Sequence, residues 1–160
     1  MIRPVTENDA ENIRDIYNYY VEHTVITFEE DLVTVDDIKQ RIETVTSKNP
    51  WLVYEQDGKI LAYAYASEWK SRCAYRFSLE TTIYGAKDMP SRLGIAFKLY
   101  EKLLQALDSR VHSVVAIIAL PNAGSVGLHE KLGFEKVAHF KEVGFKQDQW
   151  IDVGNWQKML

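Results

Sequence analysis

The chain has 160 residues, 46% of them apolar and 26% charged, with a formal net charge of −4. This is enough for one globular domain over residues 1–160 and too little for two ordinary ones. The acidic balance argues against a nucleic-acid binder held by phosphate contacts. A single cysteine, Cys73, excludes an internal disulfide. No apolar run approaches the ~20 residues of a membrane helix, and Met1–Glu7 lacks the apolar core of a signal peptide. A cytoplasmic protein without membrane contacts is expected.

Ile2–Val5 reads as a short strand. Thr6, with Asp9 three residues on, is a helix N-cap signal. Ile13, Ile16, Tyr17, Tyr20 and Val21 then form a helical stripe. Thr34 and Asp37 repeat the cap, and Ile38, Ile42 and Val45 extend it as a second helix. Trp51–Gln56 and Lys59–Ser67 flank Asp57-Gly58, a two-residue hairpin signal because such turns need positive φ. Ala74–Tyr84 alternates: Tyr75, Phe77, Leu79, Thr81 and Ile83 share one face, and Arg76, Ser78, Glu80 and Thr82 the other.

A helix is expected from about Ser91 to Leu107, on Ile95, Leu99, Leu103 and Leu107. Val114–Leu120 is a continuous apolar run that fits a strand covered on both faces. A helix from about Ala123 to Leu132 follows, with Asn122 as cap and Gly133 as stop. Strands over Phe134–Phe140 and Phe145–Trp156 complete the chain. The order β-α-α-β-β-β-α-β-α-β-β defines an α/β (or α+β) protein with a mixed, mostly antiparallel sheet.

Two segments carry chemistry. The loop with Arg92, Gly94 and Ala96 runs directly into an apolar helix. Small residues there permit close backbone approach, and a helix N-terminus suits a phosphate. About thirty residues later, Pro121–Phe134 brings Asn122 and His129. Together they resemble a pyrophosphate-bearing cofactor site with a histidine nearby.

The element order and the Arg92–Ala96 helix opening resemble the GNAT superfamily of acyl-CoA N-acyltransferases over the whole chain. Within it, the chain is similar to the phosphinothricin acetyltransferases. The segments behind this are Asn49–Val53, Ala62–Ala66, Trp69–Arg72, Ala74-Tyr75, Glu80–Tyr84, Leu120–Asn122, Leu128–Glu130, Trp150–Gly154 and Trp156-Gln157. Ser91 stands where the superfamily loop usually has Gln or Arg, and the connection from Tyr84 is one residue longer than the subfamily norm.

The resemblance implies acetyl-CoA as co-substrate, an amine or amino-acid-like acceptor and a homodimer using the aromatic segment Trp150–Trp156. It implies that Thr82, Ile83, Tyr84, Arg92, Leu93, Gly94, Ile95, Ala96, Phe97, Asn122 and Ser125 hold acetyl-CoA. Asn122 also reads as a simple helix cap.

Glu80, on the polar face of its strand, would line a cleft if helices cover both sheet faces. The resemblance makes it a base for the attacking amine, a role a carboxylate can fill. His129 shares the apolar side of its helix with Val126 and Leu132, the usual place of a core histidine; the resemblance gives it an acid, base or substrate-facing role. Lys70 and Arg72 read as solvated loop cations by themselves. With the resemblance they become anchors for an anionic acceptor, beside Phe28, Tyr75 and Tyr100 as pocket walls. Cys73 reads as structural. One cysteine and scattered histidines give no zinc-like spacing, so no metal is expected. The alternatives are a GNAT enzyme for a polyamine, antibiotic or protein N-terminus, and a non-catalytic CoA-binding module.

Overall fold

The computed structural model describes residues 1–90 and 94–160. Its elements are β1 (Ile2–Pro4), α1 (Ala10–His23), α2 (Val35–Thr46), β2 (Trp51–Gln56), β3 (Lys59–Glu68), β4 (Ser78–Gly85), α3 (Ile95–Gln105), β5 (Ser113–Leu120), α4 (Ala123–Lys131), β6 (Glu135–Lys146) and β7 (Gln149–Met159), with short 3-10 turns at Glu7–Asp9 and Cys73–Tyr75. The order is the one expected. The strands form one seven-stranded sheet, β1-β2-β3-β4-β5-β7-β6. β4 runs parallel to β5; β1–β2, β2–β3, β5–β7 and β6–β7 are antiparallel. The fold is α/β with a mixed, mostly antiparallel sheet.

The residues divide into two compact units. The first comprises Met1–Tyr19, Val33–Ser67 and Thr81–Asp108, the second Tyr20–Leu32, Glu68–Glu80 and Ser109–Leu160. The chain crosses from second to first within β4, between Glu80 and Thr81.

In the first unit, Asp57 (φ 51) and Gly58 (φ 76) make the two-residue turn of the β2–β3 hairpin. The period of two then gives β2 and β3 two different faces. On one, Leu52, Ala62 and Ala64 pack with Ile95, Leu99 and Leu103 of α3, and the two alanines keep the helix close. On the other, Trp51 stacks on Tyr65 at 4.4 Å between ring centroids. Thr34 caps α2 reciprocally with Asp37: its Oγ1 accepts from the Asp37 N–H at 3.1 Å, and its own N–H donates to Asp37 at 2.7 Å. Arg3 ties β1 down by donating to both carboxylate oxygens of buried Asp9, each at 2.8 Å.

In the second unit, β5 and β7 pair from Ser113↔Met159 to Leu120↔Asp152. Val114, Ile118, Phe134, Ile151, Val153 and Trp156 are buried. The Trp156 indole N–H donates to Glu130 Oε1 at 3.3 Å.

Three local expectations are corrected. Ala74–Phe77 is not strand: Cys73–Tyr75 is a 3-10 turn, and β4 starts at Ser78. Tyr75 meets Trp69 edge-on at 5.3 Å, and the Arg76 guanidinium lies 4.4 Å from the Phe77 ring centroid. These aromatics imitate alternation while packing locally. Secondly, β6 runs through Lys146, and the hairpin turns at Gln147 (φ 51) and Asp148 (φ 57). Phe145 and Trp150 therefore face each other across two strands instead of sharing one. Thirdly, β5 is not covered throughout, since Ile117 is 47% exposed.

Candidate active site

In the second unit the register of β4 against β5 is Ser78↔Ser113, Leu79↔Val114 and Glu80↔Val115. Leu79 is buried, while Ser78 and Glu80, one pleat away on the opposite face, are half-buried. Burial pushes the Glu80 carboxyl above the usual carboxylate range, and the positive charge of Lys70 partly opposes the shift. The result is a carboxylate that accepts a proton more readily than an ordinary glutamate does.

Lys70 and Arg72 are exposed in the segment before β4. The Lys70 ammonium sits 5.4 Å from the Trp69 ring centroid, a cation–π contact, and Trp69 in turn supports Tyr75. Arg76, expected in one column with Glu80, lies outside the strand and donates to the Cys73 carbonyl at 3.0 Å. Cys73 itself is exposed. Phe28 belongs to the loop between α1 and α2, and its ring lies against Gly144 of β6.

Asn122 caps α4: its Oδ1 accepts from the Ser125 N–H at 3.1 Å. The side-chain amide N–H groups remain available as donors. One turn further, His129 is buried. Its Nδ1 lies 2.7 Å from the Ser125 carbonyl oxygen. A carbonyl only accepts, so Nδ1 carries the proton and Nε2 has the lone pair. Burial holds the imidazole pKa below its ordinary value, against the pull of the Ser125 carbonyl. The resting ring is neutral and suited to accepting a proton or hydrogen bond. An acid would need the imidazolium form that burial disfavours. Phe134 packs edge-on against the ring at 5.2 Å.

The predicted cofactor residues that fall in the first unit are Thr82, Ile83 and Tyr84 of β4 and Gly94–Phe97 at the start of α3. Arg92 and Leu93, with Ser91, lie outside the described residues. Ile83 packs against the α3 core, and Tyr84 meets Tyr17 edge-on at 5.2 Å. Their side chains are engaged in packing, so what these positions offer a ligand is main chain. The ladder of α3 opens with Lys98 N–H donating to the Gly94 carbonyl at 3.0 Å. Gly94 is the N-cap, in the left-handed region (φ 62), and no side chain of the described residues caps the helix there. Among the described residues, a Cβ on Gly94 would meet no atom within 4 Å. A helix N-terminus opened by an exposed glycine fits the pyrophosphate of acetyl-CoA.

Tyr100 does not wall a pocket. It is fully buried, and its hydroxyl donates to Thr81 Oγ1 at 2.6 Å, which makes it core. Sequence reasoning also passed over Lys146, a cation that is only 3% exposed. Nothing local distinguishes it from the exposed lysines of the same strand. A separate depression of about 480 Å³ between α2 (Asp37, Gln40, Arg41) and β2–β3 (Trp51, Tyr65, Ser67) contains none of the predicted site residues. Among the described residues, no cluster of three or more His, Cys, Asp or Glu could hold a metal ion, and no helix is long and apolar enough to cross a membrane.

The chain thus carries a raised-pKa carboxylate on a strand, a helix opened by a glycine and a buried histidine on the following helix. The acetyltransferase (GNAT) domain family matches residues 2–154, and the chain belongs to that family. It is similar to the phosphinothricin N-acetyltransferase of Streptomyces viridochromogenes, 38% identical over 98% of this chain and 86% of that one. It is also similar to the L-methionine sulfoximine/L-methionine sulfone acetyltransferase of Salmonella typhimurium, 30% identical over 99% of this chain and 94% of the relative. A crystal structure of a phosphinothricin acetyltransferase from Sinorhizobium meliloti in complex with acetyl-CoA superimposes with a TM-score of 0.93, at 30% identity over 100% of this chain and 88% of that one. The protein is an acetyl-CoA-dependent N-acetyltransferase.

Proposed function

We propose that the acceptor is a small amino acid or analogue with an anionic or strongly polar tetrahedral group set apart from its amine, of which phosphinothricin (a phosphinate) and methionine sulfoximine or sulfone (neutral sulfur-oxygen centres) are examples. The observation that carries this reading is the pairing of exposed Lys70 and Arg72 in the segment leading into the strand of half-buried Glu80. Arginine's planar fork matches carboxylate or phosphinate oxygens, and an ammonium adds a point charge. Phe28 and Tyr75, both partly exposed, supply aromatic surface for the body of the acceptor.

Acetyl-CoA supplies an activated acetyl thioester when bound. The first turn of α3 at Gly94–Phe97, with Arg92 and Leu93, holds its pyrophosphate, and the main chain of Thr82–Tyr84, with Asn122 and Ser125, holds its pantetheine arm and thioester carbonyl. Glu80 takes the proton that the acceptor amine must lose to become a nucleophile, directly or through water. His129 presents Nε2 as an acceptor and fixes proton traffic around the amine. The whole chain works as one catalytic domain in the cytoplasm.

The same reading includes a homodimer. Phe140, Val143, Phe145 and Trp150 of β6 and β7 are each more than half exposed, and the Phe145 and Trp150 rings lie 4.8 Å apart. Exposed large apolar side chains such as these mark association. Trp156, buried in its own unit, takes no part. Sedimentation equilibrium should give twice the chain mass, and Trp150→Lys should give the monomer.

The acceptor is tested by an acetyl-transfer screen with phosphinothricin, methionine sulfoximine, methionine sulfone, a polyamine, an aminoglycoside and a peptide N-terminus. Turnover should favour the first three. Acetylation of the polyamine alone contradicts the reading.

A further inference from the structure

Gly144 and Lys146 are buried although neither carries an apolar side chain. They stand two positions apart on β6 and so share one face; Phe145 between them is 54% exposed on the other. Each meets a residue of the segment joining α1 to α2, which has no regular secondary structure between residues 24 and 34. The Lys146 ammonium donates to the Thr27 carbonyl at 2.8 Å in a buried hydrogen bond. The Phe28 ring occupies the space that a Cβ on Gly144 would fill: its Cζ and Cε2 lie too close for any side chain there. One residue beyond, Gln147 Nε2 donates to the Glu22 carbonyl at 3.3 Å, at the end of α1.

Burying an ammonium is costly, and a main-chain carbonyl is a modest partner for it. Burial pushes the Lys146 pKa down, while Glu29 and Glu30, in the same loop, pull it back up. Much of the loop's other bonding is local: Thr24 Oγ1 donates to the Tyr20 carbonyl at 2.8 Å and accepts from the Ile26 N–H at 3.2 Å. Such turns shape a loop without anchoring its middle. Asn18 of α1 holds the far end of the loop at Val33, and β6 holds it at two consecutive residues, one by its carbonyl and one by its ring.

We propose that Lys146 and Gly144 are positioning residues for the acceptor: they clamp Thr27 and Phe28 onto β6 and so set acceptor affinity without touching the acceptor. The proposal rests on the reading of Phe28 as an acceptor wall. An aromatic on an irregular loop must be ordered when ligand binds, and each immobilised group subtracts from affinity. Ordering it beforehand places that cost in folding. The glycine allows the ring to lie directly on the strand, and the lysine fixes the peptide just before it. Neither residue lies in the segments assigned to acetyl-CoA, so the effect belongs to the acceptor alone.

The test uses Lys146→Met, Gly144→Ala and Phe28→Ala enzymes, with thermal melts to establish folding. Steady-state kinetics with phosphinothricin, or with methionine sulfone if phosphinothricin is not accepted, give the acceptor KM at saturating acetyl-CoA. Calorimetry gives the acetyl-CoA Kd. Lys146→Met and Gly144→Ala should each raise the acceptor KM roughly tenfold. The kcat should stay within about twofold and the acetyl-CoA Kd should not move. Gly144→Ala added to Phe28→Ala should cost little more, because the ring it displaces is gone. If Lys146→Met does not fold, Gly144→Ala decides, since it asks only a side chain to move. A raised KM for Phe28→Ala beside normal values for the folded clamp variants overturns the clamp alone. A normal KM for Phe28→Ala overturns the proposal together with the reading of Phe28.

Discussion

The proposed site assignment draws on different parts of the chain in the two units. The first offers main chain: the helix turn after Gly94 and the backbone of Thr82–Tyr84, whose neighbouring side chains are occupied in packing. The second offers side chains: Glu80 with its raised pKa, neutral His129, and the cations Lys70 and Arg72. Main-chain donors are supplied by any residue but proline, so a cofactor site built from them tolerates sequence change. A site built from side chains changes with each substitution. The proposed assignment therefore makes acetyl-CoA binding the robust half of this protein, and acceptor choice and proton transfer the tunable half.

This contrast breaks first at Glu80. Glu80→Gln should lower kcat by ~10²–10⁴ with acetyl-CoA Kd unchanged, measured by steady-state kinetics and calorimetry. A rise in Kd would place Glu80 on the cofactor. Next in size is Arg72→Ala. Loss of one charge-assisted contact, about 1.5–3 kcal/mol, should reduce kcat/KM for an anionic acceptor roughly ten- to a hundredfold. Gly94→Ala should do the converse. The Cβ meets no atom of the described residues within 4 Å, so the steric penalty is expected from the ligand, over a backbone strain of about 1 kcal/mol. Acetyl-CoA Kd should rise about tenfold with acceptor KM unaltered. The smallest effect is expected at Tyr100→Phe, which loses the hydrogen bond to Thr81. Stability should fall by about 1 kcal/mol in urea titration, with kinetics unchanged.

The legible parts of the sequence were those with strong local chemistry. Thr34 with Asp37, Asp57-Gly58 and Asn122 each impose a cap or turn through their own backbone and side-chain bonds, and all three hold. The Gln147-Asp148 turn was not legible. It uses two left-handed residues without a glycine, at a strain that the flanking β6–β7 hairpin offsets. Tyr75 and Phe77 extended an apparent alternation that a four-residue window cannot tell from a packed turn. The partial burial of Glu80 fits the cleft-facing column expected of its strand, while its role as base is implied by the family resemblance. Tyr100 was misread because its spacing serves equally for core and pocket. Lys146 had no signal at all: its partner is a main-chain carbonyl 119 positions away, and sequence patterns carry no record of such a bond.

The central claim is that the proton-accepting half of the site is Glu80, lifted by burial and restrained by Lys70. It is tested most directly by the pH dependence of kcat at saturating substrates for the wild-type, Glu80→Gln and Lys70→Met enzymes. The base must be ionised, so kcat falls as pH drops through the Glu80 pKa. The wild-type acidic limb should lie above the ordinary carboxylate range. Removing the Lys70 charge should move it to still higher pH, and Glu80→Gln should abolish it. A limb that keeps its position in all three enzymes would contradict the account.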